Sequence, residues 1–273
     1  MRLVKRLALL AIVLLEVGCG LPDAYYVYPP AIGTAATPTT PIFVINGTSR
    51  SQDILVTFWG YELYYKFYGA NDATLTADEN YGSPNYTTAN LISSGFHRVC
   101  LGPGNVTGLT PDTNVGSASA PLINMHVIDP PSVGSNYQIN IIFDDSNPPA
   151  LGFLSLGQPT APVSYYEYIP AAQTVPTFGM EVRRYVVLPA IVGGNACKTF
   201  ASNYYYNSMG FTNYDSTADV DVQSPSSLWP AVSSNGGLIY IIIYAVSYGQ
   251  AQDGSFQTSS PVYLGYTQLQ VMN

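Results

Sequence analysis

The chain has 273 residues, including 9 Lys or Arg, 17 Asp or Glu, 2 His, 3 Cys and 23 Tyr. Charged residues make up only 10 % of the sequence, well below the roughly 25 % that is usual in soluble domains. The net charge of −8 argues against binding to nucleic acid, because phosphate recognition needs clustered Lys and Arg. With so few histidines and no catalytic motif, we expect no catalytic residues, no metal site and no cofactor.

The first 20 residues have the pattern of a secretory signal. Three basic residues among the first six precede a nine-residue apolar run, Leu7–Leu15, which is followed by Gly18 and Cys19. This run is too short to cross a bilayer as a helix, which takes about 20 residues. A positive flank, a short apolar core and a small residue before a break are typical of export signals.

This arrangement resembles the signal peptide of bacterial lipoproteins, which ends in a small residue followed by a cysteine. The resemblance implies cleavage of residues 1–18, acylation of Cys19 and attachment to a membrane of the bacterial cell envelope. Gly20 is not the acidic residue that retains some lipoproteins at the inner membrane, which favours the outer membrane or cell surface over the periplasmic face. Glu16 stands where the family normally has an apolar residue. The alternative is a plain secretory signal or an uncleaved anchor with Cys19 incidental.

Residues 19–41 are rich in Pro, Thr and Ala and carry one charge, Asp23. This composition favours an extended backbone, so we predict a lipid-anchored spacer of up to about 60 Å. The tyrosines of residues 25–28 suggest an edge strand as an alternative. Removal of residues 1–18 leaves a net charge of about −10, which anionic headgroups would repel. We therefore expect the body to project away from the membrane.

The remaining sequence predicts an all-β body, because short runs rich in Val, Ile, Tyr and Phe alternate with turn residues. No sustained helical periodicity is present. The predicted strands are Ile42–Asn46, Ile54–Tyr68, Phe96–Leu101, Leu122–Ile128, Tyr137–Phe143, Leu151–Leu156, Ser164–Ile169, Phe178–Leu188, Ala218–Val222, Leu238–Tyr248 and Val262–Val271. Many short strands separated by turns indicate a sandwich or a barrel.

Two strands have informative faces. Within residues 58–68, the alternate positions Trp59 to Phe67 are all apolar or aromatic, which predicts that they face the core. The intervening positions Gly60 to Tyr68 include Glu62 and Lys66, so we expect them to face solvent. The strand at residues 238–248 is apolar on both faces and is predicted to lie centrally, covered on both sides.

Three short sequence echoes, offset by about 100 residues and in the same order, suggest an internal duplication of the size of an immunoglobulin-like domain. We therefore predict two β-sandwich domains in tandem, at residues 42–156 and 157–273. Chance similarity in a Tyr-rich chain is the alternative. Residues 60–68 and 239–264 also resemble parts of fibronectin type III domains. That resemblance implies a sandwich used for spacing and binding, with no catalytic residues.

Few side chains stand out as candidates for a chemical role. Cys100 and Cys197 could form a disulfide outside the cytoplasm, or they could be two buried thiols. The two histidines, His97 and His126, are interpreted as ordinary strand residues. Residues 144–147 and 219–221 are oxygen-rich, as calcium sites are, but neither segment has the spacing of a dedicated calcium loop. Asp, Asn and Ser are also normal turn residues, so we favour no metal at either segment.

Tyrosines are the best candidates for a binding surface, because they combine a flat apolar ring with a polar tip. We single out Tyr204, Tyr205 and Tyr206, which lie between two Asn residues in an apparent loop. Most other tyrosines are interpreted as stabilising cross-strand pairs.

These observations favour a non-catalytic, lipid-anchored envelope protein that acts as a binding, adhesion or structural module. Its partners would be the membrane, through the N-terminal lipid, and a protein or glycan ligand, with no nucleic acid. The first alternative is a carbohydrate-binding or carbohydrate-active protein that uses exposed tyrosines and carboxylates. The second is an assembly component whose edge strands pair with another chain.

Overall fold

The structure, a computed structural model, describes residues 25–47, 56–69, 71–79, 86–101, 122–125, 136–144, 163–170, 172–174, 178–187, 206–209 and 235–270. The predicted strands at Leu151–Leu156 and Ala218–Val222 lie outside these ranges, as does the predicted signal peptide. Within these ranges, no helix has the length and apolar character needed to cross a membrane.

The described residues form mostly β-strands, which confirms the all-β prediction. The strands in chain order are β1 (Ala31–Ile32), β2 (Ile42–Gly47), β3 (Val56–Tyr68), β4 (His97–Arg98), β5 (Cys100–Leu101), β6 (Ile123–Asn124), β7 (Tyr137–Asp144), β8 (Val163–Pro170), β9 (Phe178–Val187), β10 (Tyr206–Met209), β11 (Leu238–Ala251), β12 (Phe256–Thr258) and β13 (Val262–Gln270). Two short helices, α1 (Ala73–Glu79) and α2 (Thr88–Ser93), lie between β3 and β4.

The strands form two antiparallel sheets. The first, sheet A, has the order β1-β2-β7-β8-β9-β10, with β5 also paired to β9. The second, sheet B, is built on the long pair β3–β11, with β4 and β6 on the free edge of β3. Strands β12 and β13 both pair with the other edge of β11. The central position of β11 agrees with its prediction as a strand covered on both faces.

One apolar core joins the two sheets. It contains Phe43 and Ile45 of β2, Ile139 and Ile141 of β7, and the inward residues of β3 and β11, such as Leu63. All five of these side chains are fully buried. The described body is therefore a two-sheet, sandwich-like structure in which sheet A lies against one face of sheet B.

The strands do not separate at the predicted boundary between residues 156 and 157. Strand β11 from the predicted second unit pairs along most of its length with β3 from the first. Strand β8 likewise pairs with β7 across the boundary, and Tyr168 of β8 lies in the same core as Tyr61 of β3. The described strands on both sides of the predicted boundary at residues 156 and 157 therefore share their sheets and one core.

A β-bulge changes the predicted faces of β3. The register with β11 skips Trp59, because Tyr248 lies opposite Gly60 and Gly249 lies opposite Phe58. Phe58 consequently joins the core, and its ring meets that of Tyr61 at 5.1 Å. Gly60 has a φ of +152°, and a Cβ there would lie 1.9 Å from the Ile123 carbonyl oxygen. The core-facing prediction thus holds for the alternate positions 61 to 67 but is wrong for Trp59.

The other face of β3, predicted to meet solvent, is buried. Tyr64 and Tyr68 are 4 % and 0 % exposed, and Glu62 is 6 % exposed. Apolar residues of the helical segment, including Leu91 and Phe96, pack against the tyrosines on this face of sheet B. The solvent prediction is wrong because helices α1 and α2 form a third layer over this part of the sheet.

The segment from Tyr25 to Pro41 lies against the body. Val27 and Ala36 are each 2 % exposed, and β1 pairs with β2. The Ala36 backbone N–H donates to the Leu264 carbonyl at 2.9 Å, and the Tyr266 N–H donates to the Ala36 carbonyl at 3.1 Å. The prediction of a free spacer over residues 19–41 is therefore corrected for residues 25–41.

Candidate functional site

The face of sheet B that points away from sheet A holds two ion pairs, Glu62–Arg98 and Asp78–Lys66, and we call it the outer face. It carries Glu62, Tyr64, Lys66 and Tyr68 of β3, together with Tyr244 and Tyr248 of β11. Antiparallel alternation places these side chains in two neighbouring rows. Arg98 of β4 and Asp78 of α1 complete two groups of charged residues.

The first group is built on Glu62. Its Oε1 lies 2.9 Å from Nη2 of Arg98, and its Oε2 accepts a hydrogen bond of 2.9 Å from the Tyr64 hydroxyl. The two charged side chains are 8 % and 14 % exposed. Both carboxylate oxygens are engaged, which compensates for the cost of burying the negative charge.

The second group is built on Asp78 at the end of α1. Its Oδ2 accepts from Lys66 Nζ at 2.6 Å and from the Tyr68 hydroxyl at 2.8 Å. The Tyr244 hydroxyl donates to the Asp78 carbonyl oxygen. The Lys66 ammonium also lies 5.0 Å from the centre of the Tyr68 ring. These contacts fasten α1 to both central strands of sheet B.

Burial dominates the acid–base behaviour of the outer tyrosines. It raises the pKa of Tyr64 well above the usual value for tyrosine, and the charge of Glu62 raises it further. Burial also raises the pKa of Tyr68, with the hydrogen bond to Asp78 acting in the same direction. These phenols therefore remain protonated donors at neutral pH, which suits a structural role.

An aromatic group occupies the end of sheet B next to the bulge. The ring of Tyr248 stacks on Phe256 of β12 at 5.3 Å, and Trp59 meets Phe256 edge-on at 6.0 Å. Trp59 and Phe256 are half-buried, whereas Tyr248 is 5 % exposed. The Tyr248 hydroxyl is buried and has no hydrogen-bond partner among the described residues. Burial and the neighbouring charge of Glu62 raise the pKa of Tyr248.

The geometry of the two carboxylates on the outer face favours a structural role over acid–base chemistry. Glu62 and Asp78 are each held by a cation and a tyrosine hydroxyl, so neither is poised as a free base. In the described part of the chain, no group of three His, Cys, Asp or Glu side chains could hold a metal ion.

The residues predicted from the sequence fall mostly outside this face. Tyr204 and Tyr205 lie outside the described residues, as do Cys19 and Cys197. Tyr206 begins β10, opposite Val187, so the predicted loop ends there. The backbone of Cys100 lies in β5, opposite Arg183.

The other predicted positions can be placed in part. His97 lies on the inner side of β4, and its ring centre is 5.8 Å from that of Tyr65. His126 lies outside the described residues, as do residues 219–221. Of residues 144–147, the structure describes Asp144 alone, at the end of β7.

The sequence interpretation missed the outer-face groups because it did not place a helix over them. The sequence does contain signals for these two helices, in the form of helix-capping residues. Thr87 and Asn90 form a reciprocal capping box at the start of α2. Asp72 Oδ1 accepts the backbone N–H of Thr74 at 2.9 Å near the start of α1.

Comparisons with known proteins give no relative from which a role could be transferred: no family model, curated protein or solved structure matches this chain.

Proposed function

We propose that this protein is a lipid-anchored component of the bacterial cell envelope whose all-β body is a non-catalytic binding, adhesion or structural module. The observation that carries the proposal is Cys19, which follows a basic flank, a short apolar run and Gly18. Acyl chains on this cysteine would attach the mature protein to the outer membrane or the cell surface.

The outer face supports the non-catalytic part of the proposal. Its two carboxylates form short contacts with Arg98 and Lys66 and accept hydrogen bonds from Tyr64 and Tyr68. A buried carboxylate that is fully engaged in this way stabilises tertiary structure but has little freedom to transfer protons.

An immunoglobulin-like or fibronectin type III-like identity for the body belongs to the same proposal. Two antiparallel sheets with one shared core support it in outline. The pairing of β3 with β11 favours one such sandwich over the described strands, with α1 and α2 added on its outer face.

Metabolic labelling with a palmitate analogue tests the anchor. We expect the intact protein to incorporate the label and to partition with membranes, and we expect Cys19→Ala to do neither. Cys100→Ala is the matched control, because it removes a different thiol. Equal labelling of all three proteins, or an unmodified Cys19 by mass spectrometry, would contradict the proposal.

Carbohydrate binding is a second candidate, supported by the aromatic group at the end of sheet B. Trp59 and Phe256 present half-buried rings, and Phe256 stacks on Tyr248, which interacts with the charges of Glu62 and Arg98. Aromatic rings near charged hydrogen-bonding groups suit sugar recognition. Binding of the mature protein to a glycan array tests this candidate. A real signal should fall with Trp59→Ala and persist with Ile92→Ala, whose side chain is exposed on α2. No signal from a folded sample would remove it.

A further inference from the structure

We propose that Tyr26 and Tyr28 form a membrane-contacting surface that holds the body against the lipid headgroups. This inference rests on the proposed acylation of Cys19. The two rings are 50 % and 48 % exposed, which makes them the most exposed of the large apolar side chains among the described residues. They meet edge-on, with centres 5.1 Å apart and planes at 90°.

The packing of the residue between them keeps both tyrosines at the surface. Val27 is 2 % exposed and lies beside Gly249 of β11. Because Val27 is fixed in the body, its two neighbours are presented outward as a pair. Their conformations are ordered before any contact, which lowers the entropy cost of binding.

The length of the tether brings this pair to the membrane. Only five residues separate Cys19 from Tyr25, the first described residue. Six backbone steps span at most about 20 Å even when fully extended. The described body therefore begins within about 20 Å of the acylated residue, not at the end of a spacer of about 60 Å.

The chemistry of the segment suits a headgroup layer better than it suits a second copy of this acidic chain. Residues 25–47 contain no Asp, Glu, Lys or Arg, so nothing in this segment is repelled by anionic lipid. Tyrosine is enriched at membrane interfaces, where its ring contacts acyl chains and its hydroxyl stays hydrated. The remainder of the body carries the negative charge and can face away from the membrane.

Fluorescence quenching in vesicles tests the contact. The acylated full-length mature protein is reconstituted into phosphatidylcholine vesicles with or without a headgroup spin label. Tryptophan is introduced by Tyr26→Trp, Tyr28→Trp or, as the matched control, Ile92→Trp on α2. After subtraction of the parent signal, we expect roughly twofold or greater quenching at positions 26 and 28 relative to position 92.

The outcomes separate this inference from the proposed function. Acylated protein with equal quenching at all three positions would overturn the membrane surface and leave the anchor intact. An unmodified Cys19 in the same preparation, measured by mass spectrometry, would remove both. A photoreactive amino acid in place of Tyr28 distinguishes the partner: crosslinks to lipid support the inference, and crosslinks to a second copy overturn it.

Discussion

The inner and outer faces of sheet B are both buried, yet they are stabilised by different kinds of contact. The inner face is apolar and aromatic, and the hydroxyls of Tyr61 and Tyr137 lie 2.5 Å apart within its core. The outer face combines Ile242 and buried tyrosines with the Glu62–Arg98 and Asp78–Lys66 pairs. Charged residues along one face of a strand therefore do not establish that this face is exposed to solvent. A short helical layer can bury such residues and supply their counter-charges.

The largest expected effect comes from truncating adjacent residues that face opposite sides. Ile241 lies in the inner core and Ile242 in the outer cluster, and both are 0 % exposed. We expect Ile241→Ala and Ile242→Ala each to lower the free energy of unfolding by about 3 kcal/mol, through lost burial and a residual cavity.

Urea unfolding of the two variants measures this directly. Ile92→Ala is the control, since that side chain is 39 % exposed on α2, and we expect a loss of less than about 1 kcal/mol. A small loss for Ile242→Ala beside a large loss for Ile241→Ala would mean that the helical layer adds little stability.

Asp78→Ala is expected to have the next largest effect. It leaves the Lys66 ammonium without its counter-charge and the buried Tyr68 hydroxyl without its acceptor. Lys66 is 22 % exposed, so water limits the loss to about 2–3 kcal/mol, less than the roughly 3–5 kcal/mol for a fully buried pair. Asp78→Asn, which keeps an acceptor, should lose less.

Hydrogen exchange locates the Asp78 effect. If this residue fastens α1 to sheet B, amides of α1 should exchange faster in Asp78→Ala, while those of β2 stay protected. Asp253→Ala, on an exposed turn, controls for the general loss of a carboxylate. Uniform loss of protection in both sheets would refute a local role.

The strands could be predicted because their patterns depend on nearby residues. Predicted strands at residues 42–46, 137–143 and 238–248 correspond closely to β2, β7 and β11. The pairing of β3 with β11 joins residues almost 200 positions apart, which no local pattern encodes. Echoes such as residues 64–67 and 165–168 instead fall on different sheets, in β3 and β8.

The outer-face site could be predicted only in part. Sequence alternation correctly put Glu62, Tyr64 and Lys66 in one row, but the partners Asp78 and Arg98 come from separate elements. The bulge at Trp59 was also hidden, because it arises where β6 passes close to Gly60 and excludes a Cβ. Local periodicity carries no information about such close approaches.

Breaking the Glu62–Arg98 pair should lower the free energy of unfolding by less than Asp78→Ala does. Glu62→Gln keeps an oxygen that can accept from Tyr64 but removes the negative charge that lies 2.9 Å from the guanidinium of Arg98. We expect a loss of about 1–2 kcal/mol in the free energy of unfolding.

A double-mutant cycle with Arg98→Gln isolates the interaction. The double variant should be more stable than the sum of the two single losses predicts, because it removes both charges of the pair together. Strict additivity would show that Glu62 and Arg98 act independently and that hydrogen bonding alone accounts for the group.

Alkaline pH should reveal the burial of the tyrosines on the outer face. The pKa of Tyr64 and of Tyr68 is raised in the folded protein, chiefly by burial, so the unfolded chain loses these protons first as the pH rises. The contribution of these two tyrosines to the free energy of unfolding should be constant below the unfolded pKa of about 10. Above that pH it should fall by at most about 1.4 kcal/mol per pH unit for each tyrosine. Urea unfolding between pH 8 and 11 measures the slope, which Tyr68→Phe should reduce. An unchanged slope in Tyr68→Phe would show that alkaline destabilisation arises elsewhere in the chain.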